Sequence, residues 1–526
     1  MAALVMAEEP PLQEYNWAFG NMYTETDLAG CSRQLRGLYE DLHIYAYAPD
    51  CKLAFRNPNK ATFASLPATD ADAFLYVIER QHLEGDVVPR DHLEWQALVR
   101  KAIDTLNHRV ESPALEKLVD EGKEEEQGGS WPSVEDIPQH TFINARSRLL
   151  NRRGKDVLCR LHIVEGLTRE QGAVDYRMVL GSDCAAEDVT LMLSEWLPSN
   201  AEILPVRTEG SLMNAMTLPG DHPVVEKKKR LRHRKSLQKI VDSVDPKRME
   251  QDITWLTGEA QGSPFTTRSS TSPQSHKVAA WLLDQFEASG SCTKVEFMNH
   301  NSRFGPNVLC TIKGTTLPDE LVILGAHHDS RGSFFNPRAP GANDDGSGTG
   351  MLLAVARAIH EHKVTFERTV IIAAFSGEEQ GLLGSAAYAR LLRTQGAKVV
   401  TMLQGDMLAY QMPGEPIQTA FPLRHHTPEL TDLLVNVTQM YVPETKVGFT
   451  GACCSDHQSF FENGYPATAF FERNGPIADP KYHNSADLVY RAGYSFEELA
   501  ANTKAMMASI FEMANYKSGS LDDEAW

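Results

Sequence analysis

The stretch LVILGAHHDS, residues 321–330, decides the fold. Its near-continuous apolar run is the mark of a strand covered on both faces, and it ends in His327, His328 and Asp329. Working outward, TVIIAAFS (369–376) and VVTMLQGDM (399–407) repeat the plan, the first running into Glu378 and Glu379, the second into Asp406. NVLCTIKG (307–314) and ATAFFER (467–473) read as further strands. The segments 245–256, 276–289, 348–362, 381–395, 427–442 and 495–516 space their apolar residues as helices. Strands alternating with helices predict an α/β fold, a mostly parallel central sheet flanked by helices. Such sheets bind ligands beyond the carboxyl ends of their strands, where His327, Glu379 and Asp406 fall.

Two more stretches add candidates of the same kind. APGANDDGSG (339–348) supplies Asp344, and DPKYHNSAD (479–487) supplies His483. Two imidazoles and three carboxylates are too few for two closed zinc sites. They suit two zinc ions that share one carboxylate and leave positions open. Manganese or cobalt would also accept such donors. His327 is preferred over His328, because neighbours in an extended segment point to opposite faces. Asp329 is placed to orient His327 through its second ring nitrogen. The turn at Asp344 is read either as aiming a carboxylate between metals or as a helix N-cap. Of the adjacent acids, Glu379 is assigned to metal and Glu378 to proton transfer. Alone, that pair would read as two acids at a helix start. Ser455-Asp456-His457 is not read as a hydrolase triad, whose members come from separate segments, and no G-x-S-x-G elbow is present.

Composition bounds the rest. The chain has 526 residues, 42% hydrophobic and 23% charged, with a formal net charge of −19. That balance argues against nucleic acid as a main partner, since phosphate binding needs a basic face. No apolar run approaches the ~20 residues of a membrane span, and the N-terminus lacks the pattern of a secretory signal. The eight cysteines form no C-x-x-C pair; Cys292 and Cys310 are read either as a bridge or as two buried thiols. An acidic stretch at 121–133 and a basic one at 226–236 look like linkers. They give an N-terminal α+β accessory or pro-region over 1–235, in two modules of about 1–120 and 134–225, and a metal-binding domain over 236–526. Strands are expected at 41–48, 73–80, 156–164 and 175–180, and helices at 92–106 and 186–197. The basic run is read as a solvated linker or helix start, a processing site, or a nuclear signal.

From about 237 to 517 the chain resembles the co-catalytic zinc aminopeptidases, which include bacterial and fungal leucyl aminopeptidases. Glutamate carboxypeptidase and glutaminyl cyclase are more distant relatives. The resemblance rests on GAHHDS, APGANDDGSG, SGEEQGLLGS, QGDM, SDHQSFFENGYPA and YHNSAD in that order. It implies that Asp344 bridges two zinc ions, one also held by His327 and Asp406, the other by Glu379 and His483. It further implies Glu378 as the base, a cis peptide bond after Asp344, and a peptide or protein substrate with a free N-terminus. The family's disulfide near SDH would place cysteines at 450 and 454; here Thr450 replaces the first, and Cys453 neighbours Cys454. The family suggests a secreted or vacuolar protein, with a cytoplasmic one as the alternative. Met407, Phe470 and Phe471 are candidates for an apolar pocket. The competing readings are a cyclase, a carboxypeptidase using Arg473, and an inactive binding module. Oligomeric state and side-chain preference are not expressed in the sequence.

Overall fold

A computed structural model describes residues 218–517, apart from 302, 334, 335, 337 and 453, together with the backbone of eleven short strands N-terminal to them. The chain divides into two compact units. One comprises Met1–Glu79, Pro89–Leu197 and Pro205–Thr208; the other comprises Arg80–Val88, Pro198–Leu204 and Glu209–Trp526. In the N-terminal half, strands lie at His43–Ala46, Phe74–Arg80, Arg160–Thr168 and Asp175–Ser182, where alternating sequence predicts them. Asp175–Ser182 pairs antiparallel with both Phe74–Arg80 and Arg160–Thr168. The helices expected at 92–106 and 186–197 and the acidic stretch at 121–133 lie outside the described residues.

The second unit opens with helices α1 (Pro223–Arg230), α2 (Lys235–Val241), α3 (Pro246–Leu256) and α4 (Gln274–Ser289). Then come β1 (Lys294–Met298), β2 (Asn307–Ile312), β3 (Leu317–His327), α5 (Gly346–Glu361), β4 (Arg368–Phe375), α6 (Leu383–Thr394) and β5 (Lys398–Gly405). The chain continues through β6 (Gln418–Pro422), α7 (Pro428–Tyr441), β7 (Lys446–Thr450), α8 (His457–Glu462), β8 (Ala467–Phe470) and α9 (Phe496–Met513). Helix starts follow capping chemistry. Asp245 accepts from Lys247 N ahead of Pro246, and Ser495 accepts from Glu498 N, with Glu497 and Glu498 in the first turn of α9.

The central sheet runs β1-β2-β4-β3-β5-β8. The pairs β4–β3, β3–β5 and β5–β8 are parallel, while β1–β2 and β2–β4 are antiparallel. After β3 the chain crosses to β4 on one side, then to β5 on the other, so a topological switch lies at the end of β3. Alternate residues serve two cores. Val322, Leu324, Ala326, Val370 and Ile372 pack with α3, α4, α5, α7 and α9. Ile323, Ile371, Ala373 and Phe375 pack with α6 and α8. Cys292 and Cys310 form a disulfide.

The basic run ends α1 and begins α2, with residues 231–234 joining them, and is packed onto the core. Val224 of α1 and Leu237, Ile240 and Val241 of α2 belong to the same core as α9. The compact unit therefore reaches upstream of residue 236.

Candidate metal centre

His327 is the last residue of β3, Glu378 and Glu379 follow β4, and Asp406 follows β5. Since these three strands are parallel neighbours, their ends lie side by side. Asp344 comes from the turn entering α5, and His483 from the loop between β8 and α9. Gly348 allows that turn to seat closely: a β-carbon there would run into the Asp345 carboxylate and the Gly405 carbonyl. The Asp344–Asp345 peptide bond is cis.

The Asp344 carboxylate spans both imidazoles. Its Oδ1 lies 3.2 Å from His327 Nε2, and its Oδ2 lies 3.1 Å from His483 Nε2. Asp406 Oδ1 is 3.6 Å from His327 Nε2, and Glu379 Oε2 is 3.0 Å from His483 Nε2. The five residues thus fall into two sets that share Asp344. Ligands on tetrahedral zinc with bonds near 2.05 Å stand about 3.3 Å apart, which is the spacing found here. All five side chains are buried. Glu379 Oε1, Asp406 Oδ1 and His327 Nδ1 have no hydrogen-bond partner among the described residues. Buried carboxylate oxygens without donors are unfavourable unless a cation lies among them. The donor chemistry and these orphaned atoms fit zinc.

Electrostatics point the same way. Burial opposes charge on His327, yet Glu378, Asp406, Asp329 and Asp344 outweigh it and raise its pKa well above the ordinary value. His483 is likewise raised to about 10, against burial, by Glu379 and Asp344. Burial lifts Glu379 to about 7. For Asp344, hydrogen bonds from the two histidines overcome burial and hold its carboxyl below the usual range. Without metal, protons neutralise this cluster; metal must displace them.

A second layer of acids fixes the first. Asp329 Oδ1 faces His327 Nδ1 at 3.7 Å, and its carboxylate accepts from Ser270 Oγ at 2.6 Å and from the backbone of Glu378 and Glu379 at 3.3 Å each. Asp345 also lies beside His327 and Asp406. Its oxygens, however, accept from His327 N at 3.1 Å and Gly348 N at 2.8 Å, so it caps α5 and braces β3. The N-cap reading of this turn holds at Asp345, while the Asp344 carboxylate stands between the two histidines. His328 points away, its Nε2 3.0 Å from the Pro306 carbonyl. Ser455, Asp456 and His457 are buried, and Ser455 Oγ, Asp456 Oδ1 and both His457 nitrogens have no hydrogen-bond partner among the described residues, so they form no triad.

An open pocket of about 290 Å³ of empty volume meets the cluster. Asp344, Glu378, Asp406 and His483 form its polar wall; Met407, Ala452, Cys454, Phe471, Ile477 and Tyr482 complete the lining. Phe470 is instead in the core, its ring 4.7 Å from that of Phe421. Cys454 is disulfide-bonded, and Cys453 lies outside the described residues.

Residues 307–508 match the sequence model of Peptidase family M28. Leucine aminopeptidase 1 of Neurospora crassa is 30% identical over 300 residues, covering 53% of this chain and 71% of that protein. Leucine aminopeptidase 1 of Chaetomium globosum is 30% identical over 321 residues, covering 57% and 75%. The chain belongs to peptidase family M28. The M28 match contains all five candidate ligands. A Legionella pneumophila aminopeptidase, LapA, shares the fold, with a TM-score of 0.53 at 21% identity over 66% of this chain and 92% of that one. Sequence reasoning overlooked several members of this M28 site. Arg268, Asn343 and Asp487 support the candidate ligands through partners far along the chain, which periodicity does not reveal. Arg491 and Asp345 act locally, the first on Asp487 four residues before it, the second as an acid three residues before the amide that it caps.

Proposed function

We propose that this M28 peptidase is a metalloaminopeptidase that removes the first residue of peptides or proteins with a free N-terminus. The observation that carries this reading is the charge of the pocket wall. Its carboxylates are Asp344, Glu378 and Asp406, its imidazole is that of His483, and among the described residues no lysine or arginine lines it. With zinc in place the ions' own charge offsets the carboxylates that hold them, which leaves Glu378 to attract an α-ammonium group, protonated at neutral pH with a pKa of about 7.7–8.0, while no described lysine or arginine is there to hold a substrate carboxylate. Arg473, the candidate for holding a carboxylate, is bound to Glu415 at 2.8 and 2.9 Å and to the Pro476 carbonyl.

In this reading His327, Asp406 and Asp344 would hold one zinc ion, and His483, Glu379 and Asp344 would hold the other. Bound zinc supplies Lewis acidity, which eases ionisation of water and polarises a carbonyl. Glu378 stands on the pocket wall, its Oε2 4.0 Å from His327 Nε2. Its carboxylate takes the proton of the attacking water and passes it to the departing amine. Asp329 keeps that carboxylate in place through the Glu378 and Glu379 backbone. Met407, Phe471 and Ile477 receive an apolar first side chain. The N-terminal region is assigned an accessory or pro-region role.

The test is release of leucine from a leucyl anilide by zinc-loaded protein, beside the N-acetylated substrate. Turnover that chelation stops and acetylation abolishes is expected. Equal cleavage of both substrates, or cleavage of a C-terminal residue from an N-blocked peptide, overturns the reading.

A further inference from the structure

We propose that Arg491 is a positioning residue: its guanidinium closes the loop carrying His483 into a ring and sets that histidine against Asp344. The inference rests on the two-metal reading above. Arg491 Nη2 donates to both Asp479 and Asp487, the latter at 2.8 Å. Asp479 and Asp487 stand four residues before and four residues after His483. One side chain thus pins both feet of the loop that presents the histidine. His483 itself has φ 50, a left-handed conformation that a residue with a β-carbon seldom keeps unless its surroundings impose it.

The same guanidinium reaches the other loop. The Asp487 carboxylate accepts the backbone N–H of Asn343 at 3.0 Å and that of Asp344 at 3.0 Å. Asp479 accepts from Asn343 Nδ2 at 3.0 Å. Asn343 Oδ1 in turn accepts from Ala409 N at 3.0 Å, three residues beyond Asp406. Arg491 therefore sits where the Asp344 and His483 loops meet, with the rings of Tyr410 and Tyr494 at 5.4 and 6.0 Å. Glu379, the partner of His483, is anchored elsewhere, through its backbone to Asp329. Loss of Arg491 frees His483 to drift from Glu379, while His327 and Asp406 stay fixed at strand ends. A lysine keeps the charge but offers no planar fork, so it restores the clasp incompletely.

The experiment titrates metal-stripped wild type, R491K, R491M and D487N with zinc against a competing chelator, and repeats the titration with cobalt to follow its absorbance. One ion, held through His327 and Asp406, should bind wild type, R491K and R491M alike. The other, held through His483, should lose about 10–100-fold in affinity in R491M and less in R491K, with kcat falling and KM little changed. If folded R491M binds both ions as the wild type does, whatever its melting temperature, Arg491 is a structural brace and the proposal fails. If R491M does not fold, R491K and D487N decide: normal binding of both ions in both variants overturns it equally. Wild type that binds two ions but cleaves no aminoacyl substrate sinks the aminopeptidase reading and leaves this one standing.

Discussion

Asp344 faces two histidines at once because its backbone is held on both sides, by Asp487 at its own amide and by Asp345 capping α5. Its two oxygens are thereby aimed in different directions, which is what a shared ligand requires. Glu378 is different in kind: it lines the pocket beside the cluster, within reach of water and substrate. Replacing it with glutamine should leave the zinc content unchanged and lower turnover by ~10²–10⁴-fold, the usual contribution of a general base. Metal analysis and kcat on the same preparation check this; near-normal turnover in Glu378→Gln would remove Glu378 from the chemistry. The candidate ligands were legible in sequence because each stands at a strand end or in a Gly- or Asn-bearing turn. Arg268 and Arg491 were not. Arg268 donates to the Gly341 carbonyl, 73 residues away, and nothing local distinguishes it from a surface arginine.

At the scale of elements, apolar runs identified β2, β3, β4, β5 and β8 and their flanking helices. They could not assign neighbours. β2 and β3 are consecutive in the chain, yet β4 lies between them, since burial on both faces tells that a strand is central and not which strand it pairs with. The basic run was the harder case. Its apolar positions are sparse, and its anchor is Glu512 on α9. Glu512 accepts from Lys227 at 3.3 Å, from Arg234 Nε at 3.1 Å and from the Tyr441 hydroxyl at 3.0 Å, while the Arg234 guanidinium lies 3.9 Å from the Tyr516 ring centroid. Glu512→Gln should destabilise the protein by about 1.5–3 kcal/mol, the worth of a buried charged hydrogen bond. A lowered denaturation midpoint with an unchanged slope checks this. An unaltered midpoint would mean that α1 and α2 are held by their apolar residues alone.

Over the whole molecule, a chain of net charge −19 gathers many of its described buried acids around one cluster, while Glu498 and Glu512 lie apart on α9. In metal-free protein the cluster keeps protons. His483, raised from 6.5 to about 10, contributes stability that is complete below pH 6.5 and lost as pH rises through 10. Glu379, raised from 4.5 to about 7, contributes stability that is complete below pH 4.5 and lost as pH rises through 7. Stripped protein should therefore weaken as pH rises across this window, while zinc, which binds the deprotonated groups, gains affinity. Each proton displaced steepens binding by about tenfold per pH unit. The most direct measurement is calorimetric titration of stripped protein with zinc at pH 6 and pH 8. The account predicts two ions per chain, release of protons, and tighter binding at pH 8. One ion or none, or an affinity indifferent to pH, would contradict it.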